Sequence, residues 1–207
     1  MKKIITLIVA SSLLIACGNT ETKNDEKETV EKSYSIKNNT TILKWTAYKT
    51  TEKKPVGGEF TEVSLKSVPA GKTPEKSLEG LTFGIPVSSL FTDNEERDGK
   101  LKRLFFGVML NTEMISGEFK NIDGNDKEGK GVIALKMNDV VCDLPFNYTI
   151  EGNEFDIVSE LNIKSWKADS ALNSLNEACY DLHKGPDGIS YTSPNVSINA
   201  SVEFQEN

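Results

Sequence analysis

Val196-Ser197-Ile198-Asn199-Ala200-Ser201-Val202-Glu203-Phe204 alternates apolar and polar residues without a break. A period of two places the apolar side chains on one face of a β-strand and the polar ones on the other. Such a stretch predicts an antiparallel strand with one face on a core and one in water. The pattern recurs along the chain. Leu43, Trp45 and Ala47 alternate with Lys44 and Thr46, and Leu81, Phe83 and Ile85 alternate with Thr82 and Gly84. Leu144, Phe146, Tyr148 and Ile150 repeat it, as do Phe155 and Ile157, while Val132 to Leu135 reads as apolar on both faces. Turn signals separate the runs: Gly57-Gly58, Pro69-Ala70-Gly71, Asp123-Gly124-Asn125 and Glu151-Gly152-Asn153.

Two stretches break the strand period. Asp98 to Phe106 spaces Leu101, Leu104 and Phe105 as a helix would, and Ser170 to Tyr180 does so with Leu172, Leu175, Ala178 and Cys179. Ser170 or Asp169 is the expected N-cap of the second. The sum is an all-β domain with two short helices, read as about eight antiparallel strands. Closure into a barrel removes edge strands, so an eight-stranded barrel is expected, with a β-sandwich as the alternative.

Outside this domain lies an export signature. Met1-Lys2-Lys3 is a short basic head, followed by an apolar run too short to span a bilayer. The run ends in Leu14-Ile15-Ala16-Cys17, which looks like a lipobox. The expected organisation is a signal peptide at 1–16, a lipidated Cys17 with a flexible tether over 17–33, and the β domain over 34–207. The tether is polar, with Val30 its one large apolar residue, and buries too little to offset its ordering entropy. Gly18 follows the cysteine, where an aspartate would have suggested inner-membrane retention. The expected location is therefore the cell envelope, lipid-anchored at the outer membrane.

Charge narrows the partners. Loss of Lys2 and Lys3 with the signal takes the net charge from −7 to −9. An acidic chain argues against nucleic acid and against flat adhesion to anionic headgroups.

The domain resembles the YceI-like family of lipocalin-like barrels associated with polyisoprenoid binding. The resemblance begins with Leu43-Lys44-Trp45-Thr46-Ala47-Tyr48-Lys49 and Gly58-Glu59-Phe60-Thr61-Glu62-Val63. It continues through Phe83 to Thr92, through Arg97-Asp98 with Leu101, Phe105 and Phe106, and through Gly131 to Met137 paired with Leu144-Pro145-Phe146. The family often has a histidine before the leucine matched to Leu101; here that residue is Lys100, so no role for a histidine carries over. The resemblance implies a lipocalin-like barrel whose interior takes an apolar-chain lipid or isoprenoid ligand. Trp45, Phe83, Ile85, Leu101, Phe105, Phe106, Phe146 and Tyr148 are the expected contacts, although aromatics on strands more often fill a core than touch a ligand.

Chemistry beyond binding has little support. Cys179 and His183 are four residues apart, a spacing that on one helix face suits a nucleophile pair or two metal ligands, but further ligands are missing. Neither catalysis, nor a metal, nor a cofactor is expected. With Cys17 lipidated, Cys142 and Cys179 remain as an even pair in an oxidising compartment, and the expectation is a disulfide between them. Asp93, Glu95, Glu96 and Asp98 read as a solvated acidic loop. The functional expectation is an envelope lipoprotein holding a long apolar tail, for carriage or sequestration. The alternative is a structural or protein-interaction module with no small ligand.

Overall fold

Alternation sets which face of each long strand is buried in the computed structural model, which describes residues 31–207. The expected signal peptide, Cys17 and the tether as far as residue 30 lie outside the described residues. The strands are β1 (Tyr34–Ile36), β2 (Ile42–Lys49), β3 (Lys54–Phe60), β4 (Ser64–Ser67), β5 (Thr82–Pro86) and β6 (Leu90–Phe91). They continue with β7 (Met114–Gly124), β8 (Glu128–Met137), β9 (Val140–Glu151), β10 (Glu154–Asn162) and β11 (Thr192–Glu206). The helices are α1 (Glu95–Lys100) and α2 (Asp169–Ala178). Residues 31–33, expected to belong to the tether, are tied to the end of β11: Asn207 N–H donates to the Ser33 carbonyl at 2.8 Å, and Lys32 pairs with Glu206 at 2.9 Å.

The sheet has eleven strands, not eight, in the order β4-β5-β7-β8-β9-β10-β11-β2-β3-β6, with β1 added on β11. Two bends account for most of the difference. Phe60 pairs with Leu90 in the β3–β6 ladder, and Ser64 pairs with Gly84 in the β4–β5 ladder. Between them Thr61 N–H donates to the Ser89 carbonyl at 3.0 Å. Thus β3–β4 is one bent strand running beside another, β5–β6, and the two ends of the sheet order meet along that seam. Counted around the curled sheet, the positions are eight, with β1 as a short addition. The antiparallel, lipocalin-like reading holds. The register places Ile133 opposite Leu144 and Gly131 opposite Phe146, as the sequence pairing required.

Both helices depart in detail from expectation. The first starts earlier, at Glu95, because Asn94 caps it by accepting from Arg97 N–H at 2.9 Å. The acidic run is therefore a first turn, where Glu95 and Glu96 face the positive end of the helix dipole. The chain then widens into a π-turn over Leu101–Phe105. In α2 neither Asp169 nor Ser170 caps. Both are already inside the helix, Ala168 holds the cap position without a side-chain bond, and Asp169 pairs instead with Lys164 at 3.4 Å.

Gly57-Gly58 is not a turn but the middle of β3. A Cβ on Gly58 would stand 2.4 Å from Cζ2 of Trp45, its neighbour across the ladder. The glycine is there so that the indole can lie back over the adjoining strand.

The expected disulfide is absent: Cys142 and Cys179 are free. Each is engaged separately. Cys142 lies on β9 with its Sγ–H donating to the Ser165 carbonyl at 3.2 Å. Cys179 is buried at the end of α2.

Candidate functional site

The interior divides into a solid half and a hollow half. Inward residues of β7 to β10, such as Ile115, Ile133, Leu144 and Ile157, are buried. Inward residues on the facing wall, Leu43, Phe60, Leu65, Val196 and Ile198, are only partly buried although they point into the barrel. The gap between the walls is a cavity of about 210 Å³. The π-turn contributes Leu101 and Phe105, with Phe106 just after it, and α2 contributes Leu172 and Leu175. Among the described residues, its only polar lining besides Trp45 is Thr41, Ser159, Thr192 and Ser193, and no charged side chain lines it.

Six of the eight expected ligand contacts stand on this lining: Trp45, Phe83, Ile85, Leu101, Phe105 and Phe106. Phe146 and Tyr148 do not. They belong to two groups of packed aromatics in the buried core. Ring centroids run Phe83–Phe119 at 5.7 Å and Phe119–Phe146 at 5.3 Å in one, and Tyr148–Phe155 at 5.6 Å and Phe155–Phe204 at 5.2 Å in the other. Edge-to-face and tilted contacts of this kind make a rigid floor. Tyr148 donates its hydroxyl to the Asn125 carbonyl at 3.1 Å, and its pKa is pushed up to about 12 by burial, with the nearby Glu75 adding to the rise. These two aromatics are core, whereas Leu144, earlier on the same strand, lines the cavity.

Sequence reasoning left other lining residues unassigned. Ile198 and Ala200 sat in the alternating run of β11 as plain core, and Leu172 and Leu175 were read only as the inner face of a helix. Their chemistry is that of any core residue. What distinguishes them is the space opposite, which no local pattern encodes.

Among the described residues no hydrogen bond joins the side chains of Cys179 and His183. His183 Nδ1 lies 2.7 Å from Thr192 Oγ1, and its backbone N–H donates to the Cys179 carbonyl at 2.9 Å. The spacing of four serves the main chain while the ring turns to β11. Lys100, in the place of the family's frequent histidine, pairs with Glu96 at 2.7 Å. Among the described residues no group of three or more His, Cys, Asp or Glu side chains could hold a metal ion. Nor is any described helix long and apolar enough to cross a membrane.

A family model described as the YceI-like domain matches residues 34–204. Among solved structures, a polyisoprenoid binding domain from Saccharophagus degradans superposes with a TM-score of 0.60 at 12% identity, covering 84% of this chain and 98% of that one. BcnA from Burkholderia cenocepacia gives 0.55 at 12% identity, covering 82% and 99%. A YCEI protein from Campylobacter jejuni gives 0.52 at 16% identity, covering 73% and 85%. At these identities the likeness is one of fold. No match is found among curated proteins.

Proposed function

The chain belongs to the YceI-like family, and from that premise we propose that it is a lipid-anchored envelope protein whose barrel holds the apolar tail of an isoprenoid or fatty-acyl molecule, for carriage or sequestration. The observation that carries this reading is the cavity of about 210 Å³ with its aliphatic and aromatic lining. An aliphatic and aromatic wall is poorly hydrated, and an apolar occupant gains packing contacts against it while leaving water. A barrel serving only as an interaction module gains nothing by keeping that space. The polyisoprenoid binding described for the Saccharophagus degradans domain supports the same ligand class. We assign the site no catalytic step, cofactor or metal. The anchor rests on Leu14-Ile15-Ala16-Cys17 behind the basic head.

The test is to purify the protein from its own host and analyse it by native mass spectrometry before and after lipid extraction. An adduct of apolar-tailed mass, lost on extraction, is the expected result. An unliganded mass under mild conditions favours the interaction module. The same preparation from a Cys17→Ser strain tests the anchor separately, since that variant leaves the detergent phase if Cys17 carries the lipid.

A further inference from the structure

One end of the barrel gathers four segments: the β2–β3 hairpin, residues 92–113 between β6 and β7, the β8–β9 hairpin, and residues 163–191 between β10 and β11. Hydrogen bonds join them. Thr50 N–H donates to the Tyr191 carbonyl at 2.9 Å, Leu110 N–H to Asn138 Oδ1 at 2.8 Å, and Asn138 Nδ2 to the Trp166 carbonyl at 2.9 Å. Of the eleven exposed large apolar side chains among the described residues, eight stand at this end. Val108 and Leu110 follow the π-turn, while Met114 and Val141 stand at the starts of β7 and β9. Tyr180, Leu182, Ile189 and Tyr191 lie between α2 and β11. That last stretch is closely bonded. Lys184 and Ser190 form a bridge, Gly185 N–H donates to the Ile189 carbonyl at 3.0 Å, and the Thr51 hydroxyl donates to Asp187 at 2.6 Å. Leu182, 60% exposed, and Ile189, 55% exposed, are thus held out in water by the fold itself. Exposed apolar side chains gathered in this way mark a surface that another body covers.

The cavity runs up to the same end. Thr192 and Ser193 line it and directly follow Tyr191, and α2 lines it with Leu172 and Leu175. Towards the other end of the strands, Tyr148, Phe155 and Phe204 are buried core and line none of it. Charge distinguishes the two ends as well. Residues 31–207 hold 20 basic and 27 acidic side chains. Segments 49–54, 92–114, 137–140 and 163–191 hold ten basic and eleven acidic ones, so this end is nearly balanced while the rest of the barrel carries the negative excess. It is the face that an anionic or zwitterionic surface repels least. Lys184 Nζ lies 4.9 Å from the centre of the Tyr180 ring, and tyrosine beside lysine suits the boundary between headgroups and water. We propose that this end docks on a lipid surface, with Leu182 and Ile189 entering the headgroup layer, and that a tail passes there between bilayer and cavity. This rests on the reading of the cavity as a site for an apolar tail. The occupant is lipid because the apolar side chains and the balanced charge stand where the cavity approaches the surface, and such a tail comes from a lipid phase.

The test mixes the mature protein from its own host with vesicles of phosphatidylcholine brominated on its acyl chains, and compares Leu182→Trp with Ile42→Trp. Ile42, 52% exposed, stands at the opposite end, the one from which the chain leaves towards Cys17. Trp45 and Trp166 are buried and give both variants the same background. The expected result is that bromine quenches the added emission of Leu182→Trp and not that of Ile42→Trp. Equal quenching, quenching of Ile42→Trp alone, or none at all overturns the docking. So does an unquenched, blue-shifted Leu182→Trp in a particle of doubled mass, which means that a second copy of the chain covers this face. Passage of the tail is read separately, as the rate at which a pyrene-labelled fatty acid leaves the vesicles for the protein. The double variant Leu182→Asp, Ile189→Asp is expected to slow that rate about tenfold while binding the same amount at equilibrium. An unchanged rate overturns the passage. If the unaltered protein takes up no pyrene probe although Leu182→Trp is quenched, the apolar-tail reading falls while the docking face stands.

Discussion

His183 is the one histidine of the chain, and its position makes it a sensor of acid stability. Thr192 commits its hydroxyl proton to Asn176 Oδ1 at 2.9 Å, so at 2.7 Å it accepts from His183 Nδ1–H. Burial, followed by the charges of Lys49 and then Lys100, holds the imidazole below its ordinary pKa. A depressed histidine binds fewer protons folded than unfolded, so its stabilising effect is complete above about pH 6.5 and is lost as the pH falls through the lower, folded value. Urea unfolding from pH 7.5 to 5 is expected to show that slope, and His183→Gln, which cannot take up the proton, is expected to flatten it. Tyr148 behaves oppositely at the alkaline end. Its pKa of about 12 in the folded protein exceeds the ordinary phenol value. Its contribution is therefore intact below about pH 10 and lost as the pH rises towards 12. Tyr148→Phe gives up the bond to Asn125, at about 1 kcal/mol near neutrality, and the difference between the two proteins is expected to shrink and then reverse across that alkaline window.

At the scale of single elements, glycines decide what the sequence reveals. In β3 the inward positions are Val56, Gly58 and Phe60, in β7 they are Ile115, Gly117 and Phe119, and in β8 Gly129 and Gly131 precede Ile133. Each glycine faces an aromatic across the ladder: Gly58 faces Trp45, Gly117 faces Phe83, Gly131 faces Phe146 and Gly129 faces Tyr148. The large ring fills the space of two residues, so the partner strand must have none there, and its apolar alternation is interrupted. Strands carrying the aromatics, β2, β5 and β9, were therefore legible, whereas β3 looked like a turn and β7 was missed. The same geometry explains the site. Trp45 and Phe83 were recognisable as inward residues, but whether an inward residue meets a cavity or the floor depends on its level in the barrel. That level is set by long-range register, which separates Phe83 from Phe146 although both alternate alike. A substitution checks the argument. Gly58→Ala places a methyl 2.4 Å from the Trp45 ring, and because the backbone cannot yield there without breaking the ladder, the indole must shift. The expected cost is about 1–3 kcal/mol in urea unfolding, accompanied by a change in the Trp45 fluorescence signal. Gly152→Ala, in the turn after β9, has nothing within 4 Å of its new methyl and is expected to act only through its backbone φ of +62°.

At the scale of the whole molecule, a bent seam, a rigid floor and a hollow wall combine into a container of fixed depth. Phe119 belongs both to the cavity lining and to the floor, where its ring meets Phe146 at 5.3 Å. A tail held as proposed would meet Phe119 as its stop. Up to that stop, each added methylene leaves water for an apolar wall and contributes about 0.8 kcal/mol, so four carbons tighten binding by roughly two orders of magnitude. Beyond it, further carbons remain in water or strain the floor, and affinity levels off. A titration with probes of one headgroup and graded tail length is expected to show a steep rise and then a plateau. Flat affinity across lengths would mean that the cavity is not where the tails go. Phe146→Ala separates the floor from the lining. It removes a buried ring that does not line the cavity, so unfolding is expected to become easier by about 3–5 kcal/mol. The space it opens lies directly beneath Phe119, and the plateau is expected to move to longer tails without a loss of affinity for short ones. Phe106→Ala does the reverse. That side chain is only partly buried and lies on the cavity wall, 6.2 Å from Phe60 between ring centroids, so its loss is expected to weaken every probe while leaving the length of the plateau unchanged.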